Sequence, residues 1–147
     1  MAIGVRRRSK VGSSEDKDVV RRLFDAFDAV DSGEMDRLLS ADFIAHGLAP
    51  SFSEDVAGWK QLAAHWAGGF SDEELTLDDL IAEDDKVAVR WTSRATHTGE
   101  VFGIPPTNRR VAVKGIEIYR LTGGKVVEYW GEINLTSLTD SVDEPAL

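Results

Sequence analysis

The chain has 147 residues, of which 42% are hydrophobic and 29% charged, the balance of a single soluble domain long enough to bury a core. A net charge of −9 argues against nucleic acid as a partner, because phosphate binding needs a basic surface. The absence of cysteine excludes disulfides, thiolate metal sites and a Cys nucleophile. No apolar run approaches the about 20 residues of a membrane span. The opening MAIGVRRRSKVGSS carries basic residues with no apolar segment behind them, so it is not a secretory signal, and cytoplasm is the expected compartment.

Residues 1–13, with Arg6-Arg7-Arg8 and Lys10, read as a disordered arm. Ser13 or Ser14 then caps a helix to about Asp31, with Val20, Leu23, Phe24, Phe27 and Val30 on one face. Ser32-Gly33 ends it. A short helix, Glu34–Leu39, and a short extended segment, Phe43–His46, follow. A third helix, Asp55 to about Phe70, carries Val56, Trp59, Leu62, Trp66 and Phe70 as its buried stripe. Leu75 and Leu77 begin the sheet.

Three long strands come next: about Lys86–Thr98, Val111–Leu121 and Lys125–Leu135. A Gly/Pro-rich loop separates the first two, and Gly123-Gly124 makes a tight turn between the last two. Long twisted strands curl, and a curled sheet has a concave face that can hold a ligand. Helices gathered before a run of strands predict an α+β domain over 14–138, with 139–147 as a tail.

Period-two alternation sorts the strand faces. Val87, Val89, Trp91, Ser93, Ala95 and His97 share the expected inward row of the first long strand. Val111, Val113, Gly115, Glu117 and Tyr119 do so on the second. Val127, Tyr129, Gly131 and Ile133 do so on the third. Glu117 is then a carboxylate turned into an apolar interior, and Glu132 points outward. Ile116, Ile118 and Trp130 form an apolar outer face, which predicts a second copy of the chain as partner.

His97-Thr98-Gly99, the run Gly103-Ile104-Pro105-Pro106-Thr107-Asn108-Arg109-Arg110, Ile118-Tyr119-Arg120, Gly124-Lys125 and Glu128-Tyr129-Trp130 together resemble the SnoaL-like polyketide (ester) cyclases. Arg22–Phe27 and Asp42–His46 are similar too, so the likeness covers about residues 15–135. The resemblance implies a nuclear-transport-factor-2-like cone: a curved antiparallel sheet packed around N-terminal helices, often dimeric. It also implies an intramolecular aldol cyclase with no metal and no cofactor, using a cavity Asp on the last strand. Gap-free matching puts that Asp at Gly131, a cavity His at Glu117, a cavity amide at Gly115 and a helper Asn near Ala45. His97 alone keeps its family identity.

The residues left to do chemistry are Glu117 and His97 as the catalytic pair. Trp91, Tyr119, Tyr129, Trp66, Phe43 and His46 are the expected substrate-binding walls. Apolar surroundings raise a carboxylate's pKa toward neutrality, which suits a general acid/base. His97 or Tyr129 would hold a carbonyl or enolate oxygen. Ring closure, isomerisation and epoxide opening all fit these groups on a hydrophobic, carbonyl-bearing molecule. The alternative is a non-catalytic ligand-binding or dimeric accessory domain. The three histidines have no metal-ligand spacing, and there is no GxSxG, Walker or dinucleotide fingerprint.

Overall fold

A computed structural model describes residues 3–140, with side chains from Ser14 onward. The helices are α1 (Ile3–Asp28), α2 (Ser32–Leu38), α3 (Val56–Gly69) and α4 (Thr136–Thr139). The strands are β1 (Leu39–His46), β2 (Phe70–Glu83), β3 (Lys86–His97), β4 (Arg110–Thr122) and β5 (Lys125–Asn134). Helical backbone begins at Ile3, ahead of the expected cap. The proposed arm at 1–13 has no described side chains, and residues 141–147 of the expected tail lie outside the described residues.

The strands form one curved, open sheet in the order β1-β5-β4-β3-β2. All neighbours are antiparallel except β1, which joins β5 in parallel. The sheet is thus mixed rather than wholly antiparallel. The helices cover its concave face, as the α+β reading expected.

The first helix stops earlier than predicted. Val30 takes a left-handed conformation with φ 51. Asp31 N–H donates to Ala26 C=O at 2.8 Å and Val30 N–H to Phe27 C=O at 3.1 Å. This double closure ends the helix and turns Val30 to solvent, off the apolar face it was assigned. Ser32-Gly33 do not end α1. They open α2, because Asp31 accepts from Glu34 N–H at 3.1 Å as its cap. Asp55 caps α3 in the same way, accepting from Gly58 N–H at 3.0 Å.

Trp59 of α3 sits at the centre of the core. Its ring meets Phe27, Phe43, Tyr119 and Tyr129 at centroid distances of 5.4, 5.5, 6.5 and 4.9 Å, all edge-on. The inward rows of β3 and β4 are as alternation predicts. On β5 the row is corrected at one position. The β4–β5 register slips between Arg120 and Leu121, so Val126 is fully buried where Val127 was expected. One bulged residue moves the side chains before it to the other face. Gly123 and Gly124, with φ of 60 and 79, make the connecting turn, a pairing of left-handed residues that glycine supplies without strain.

Candidate functional site

Between α1, α3 and the sheet lies a narrow, mostly apolar cavity of about 60 Å3. Leu23, Phe24 and Phe27 of α1 line one side. Trp59, Leu62 and Trp66 of α3 line another. Leu75, Trp91, Tyr119, Tyr129 and Ile133 line the sheet side, together with Glu117.

Glu117 is 6% exposed. Strand parity puts it inward, opposite Gly131 across the β4–β5 pair. Tyr119, two residues along the same row, donates its hydroxyl to Glu117 Oε1 at 2.5 Å. Tyr129 donates to Oε2 at 3.3 Å. Burial raises the Glu117 pKa above its ordinary value, opposed in part by the Tyr119 hydroxyl, by the polar edge of the Trp91 indole, which lies near the acid without a hydrogen bond to it, and by the Tyr129 hydroxyl. Burial, then the adjacent Glu117 charge, drives the Tyr119 phenol well up, so it keeps its proton as a donor.

The position that family resemblance assigned to an acid is occupied sterically. A Cβ at residue 131 would lie 2.1 Å from the Tyr129 hydroxyl oxygen and 3.1 Å from Glu117 Cγ. An acidic side chain at 131 and the Tyr129–Glu117 contact therefore compete for one space. The carboxylate beside this position, Glu117, lies on β4.

Other expected site residues divide. Trp91, Tyr119, Tyr129 and Trp66 line the cavity. His97 does not. It is fully buried at the far end of β3, beside Phe70 at a ring distance of 5.7 Å. Its Nδ1 accepts from Thr107 N–H at 3.3 Å and lies 3.1 Å from the Thr107 hydroxyl. His97 thus anchors the Gly/Pro-rich loop and is not paired with Glu117. His46 also leaves the cavity. The parallel pairing sets it beside Trp130 on the outer face, stacked at 5.1 Å and hydrogen-bonded to Glu128 at 2.8 Å. Phe43 is 2% exposed and packs edge-on against Trp59, so it is core behind the wall.

Two acids that sequence reasoning passed over do line the cavity: Asp28 and Glu73. Asp28 lies one turn after Phe24, on the rim of the apolar stripe. Glu73 belongs to the row of Leu75 and Leu77, but the strand begins five residues before Leu75, at Phe70. A register shift between Ser71 and Glu74, with Asp72 at φ 51, lets Phe70 and Glu73 both lie on the inner side. Trp66 Nε1–H donates to Glu73 Oε2 at 3.1 Å, and the Ser93 hydroxyl donates to the same oxygen. Burial, the hydrogen bond to Glu73 and its charge push Asp28 up to about 6.

Among the described residues, no group of three or more His, Asp or Glu side chains is placed to hold a metal ion. No described helix is long and apolar enough to cross a membrane.

The family model of SnoaL-like polyketide cyclases matches residues 17–141. No protein with a curated description matches. Among solved structures, TsrD from Streptomyces laurentii superposes with a TM-score of 0.75 at 27% identity, covering 85% of this chain and 92% of that one. AclR from Streptomyces galilaeus, described as a proposed hydroxylase, superposes at 0.71 with 31% identity, covering 85% and 92%. IdmH from Streptomyces antibioticus, described as a proposed polyketide cyclase, superposes at 0.72 with 25% identity, covering 84% and 95%.

Proposed function

The chain belongs to the SnoaL-like polyketide cyclase family, and from that premise we propose a cofactor-independent cyclase or isomerase acting on a hydrophobic, carbonyl-bearing small molecule. One observation carries the reading: Glu117 is buried in an apolar cavity, with its pKa raised and two phenols against its oxygens. A carboxylate that is costly to keep charged is a stronger base than one in water.

The ionised Glu117 takes a proton from the carbon next to a carbonyl. The C–H pair becomes the enolate double bond, and the carbonyl pair moves to oxygen. In ring closure the enolate carbon attacks a second carbonyl, forming a C–C bond. The proton on Glu117 then passes to the new alkoxide. In isomerisation it returns to a different carbon. The apolar walls suit the body of such a substrate and exclude the water that would compete for the proton.

The test needs no natural substrate. Benzoylacetone, a hydrophobic β-diketone, should exchange its acidic C–H for deuterium faster with the protein present. Glu117→Gln should lower that acceleration by about 100-fold or more. Exchange at the wild-type rate by the Gln variant removes Glu117 from the mechanism. Benzoylacetone that binds without exchange at any pH favours a binding-only domain on the same scaffold, a reading that the filling of the Gly131 gap by Tyr129 would suit.

For the outer sheet face we propose a second copy of the chain. Ile44, Ile116, Ile118 and Trp130 are all exposed there, and their pairing sets them on adjoining strands β1, β5 and β4.

A further inference from the structure

The inward rows around Glu117 contain two gaps. Gly115 precedes it on the same face of β4, and Gly131 faces it across the β4–β5 pair. Neither gap is empty. A Cβ at 115 would lie 2.4, 2.5 and 2.7 Å from Cζ2, Cε2 and Nε1 of Trp91, which is its partner across the β3–β4 pair. A Cβ at 131 would meet the Tyr129 hydroxyl. Each glycine therefore admits the polar edge of an aromatic ring beside the acid.

The two edges have different fates. The Tyr129 hydroxyl is already engaged with Glu117. Trp91 Nε1–H is buried without any hydrogen-bond partner, in a residue that is 5% exposed and lines the cavity. An indole N–H can only donate, and buried donors are seldom left unpaired. Tyr119 is committed to the other carboxylate oxygen, and His97 is outside the cavity. Two indoles lining the cavity, Trp59 and Trp91, have a buried N–H with no partner; Trp91 is the one whose polar edge lies beside Glu117, and it is free for an oxygen of whatever enters.

We propose that the Trp91 indole N–H receives the carbonyl oxygen of the bound molecule and holds it as negative charge gathers there, with Gly115 as the positioning residue that lets the indole lie across β4. This rests on the acid/base reading of the cavity. Glu117 takes the proton from carbon, and Trp91 stabilises the oxygen to which the electron pair moves. The ligand class follows: its acidic C–H and its carbonyl oxygen are neighbours, so that one reaches Glu117 while the other reaches Trp91. β-Dicarbonyl compounds with an apolar body meet this requirement.

The experiment uses the full chain labelled with 15N at its indoles, with the Trp91 signal assigned by Trp91→Phe. Saturation with benzoylacetone should move the Trp91 indole proton downfield and leave that of Trp130, on the outer face, in place. In the deuterium-exchange assay, Trp91→Phe should lower kcat by about 100-fold, the scale of losing one oxyanion donor, with KM changed far less. Gly115→Ala keeps the N–H but displaces it, and should show the same loss. An indole signal unmoved in the saturated complex overturns the proposal, as does a Trp91→Phe variant exchanging at the wild-type rate. The two readings fail separately. If exchange collapses in Glu117→Gln but not in Trp91→Phe, the donor assignment alone is wrong. If no variant or wild type exchanges but the Trp91 signal still moves downfield, the donor stands and the acid/base reading falls.

Discussion

The Tyr119 hydroxyl reaches Glu117 Oε1 at 2.5 Å from a position two residues along the same inward row of β4. Both side chains are buried, so the phenol takes the place of the water that a carboxylate would otherwise require. Removing it isolates the effect. Tyr119→Phe keeps the ring and leaves Glu117 with Tyr129 as its only hydroxyl donor. The expected cost is about 1–3 kcal/mol of unfolding free energy, read by urea denaturation, and a further rise in the Glu117 pKa. A variant as stable as wild type contradicts this role for the hydroxyl.

Glu117 also sets a pH dependence. Its folded pKa is raised above the unfolded value by burial. The corresponding stability is fully present below the ordinary glutamate range and is lost as pH rises through the folded pKa. Glu117→Gln cannot ionise. Denaturation across a pH series should show the variant gaining on wild type as pH rises, with the two nearly parallel at acid pH. A constant difference at every pH would remove the buried charge from the account.

The glycine gaps can be tested by filling them. Gly131→Ala brings a Cβ to 2.1 Å from the Tyr129 hydroxyl oxygen, which should expel that ring edge from Glu117 and cost about 1–3 kcal/mol. Gly68→Ala is the control. Nothing lies within 4 Å of a Cβ there, and the residue is within α3. It should be neutral or stabilise by about 0.5–1 kcal/mol through the helix preference for Ala. Thermal melts of the two variants should move in opposite directions.

At the cavity mouth, Asp28 should titrate at about 6, well above an ordinary aspartate. Glu73→Gln removes the neighbouring charge that helps hold the proton on Asp28, so the midpoint should fall, with burial keeping it above the ordinary value. Carboxyl 13C shifts across a pH series read this directly. By linkage, the Asp28 contribution to stability is present below the ordinary aspartate range and lost as pH rises through about 6. An Asp28 midpoint unchanged by Glu73→Gln would show the two acids to be independent.

On the outer face, Ile116→Lys together with Ile118→Lys should lower the sedimentation mass from dimer to monomer, because two charges cannot be buried unpaired against their own copies. A wild-type chain that sediments as a monomer at every concentration rules out the self-association proposed for this surface.

Much of this architecture was legible because period-two alternation is unambiguous where one face is buried. Val87 to His97 and Val111 to Tyr119 face inward as alternation predicts. What alternation lacks is a way to see bulges and partners. The slip between Arg120 and Leu121 exchanged Val126 for Val127, and Glu73 lies on a strand that begins ahead of Leu75, at Phe70. His46 looked outward because β1 joins β5 in parallel, a long-range pairing with no local signal. His97 kept its inward parity yet fell beyond the cavity, because parity gives a face and not a depth. Asp28 and Glu73 are far apart in the chain and sit in an acidic background, so only the fold brings them together.

The claim on which the rest depends is that residue 117 titrates above its ordinary range in an apolar hollow open to ligands. Its side-chain carboxyl 13C shift, followed over a pH series without and with benzoylacetone, tests this most directly. The account predicts a midpoint above the ordinary glutamate value of 4.5 that moves again when the diketone enters. A midpoint at or below that value, indifferent to the diketone, would contradict it.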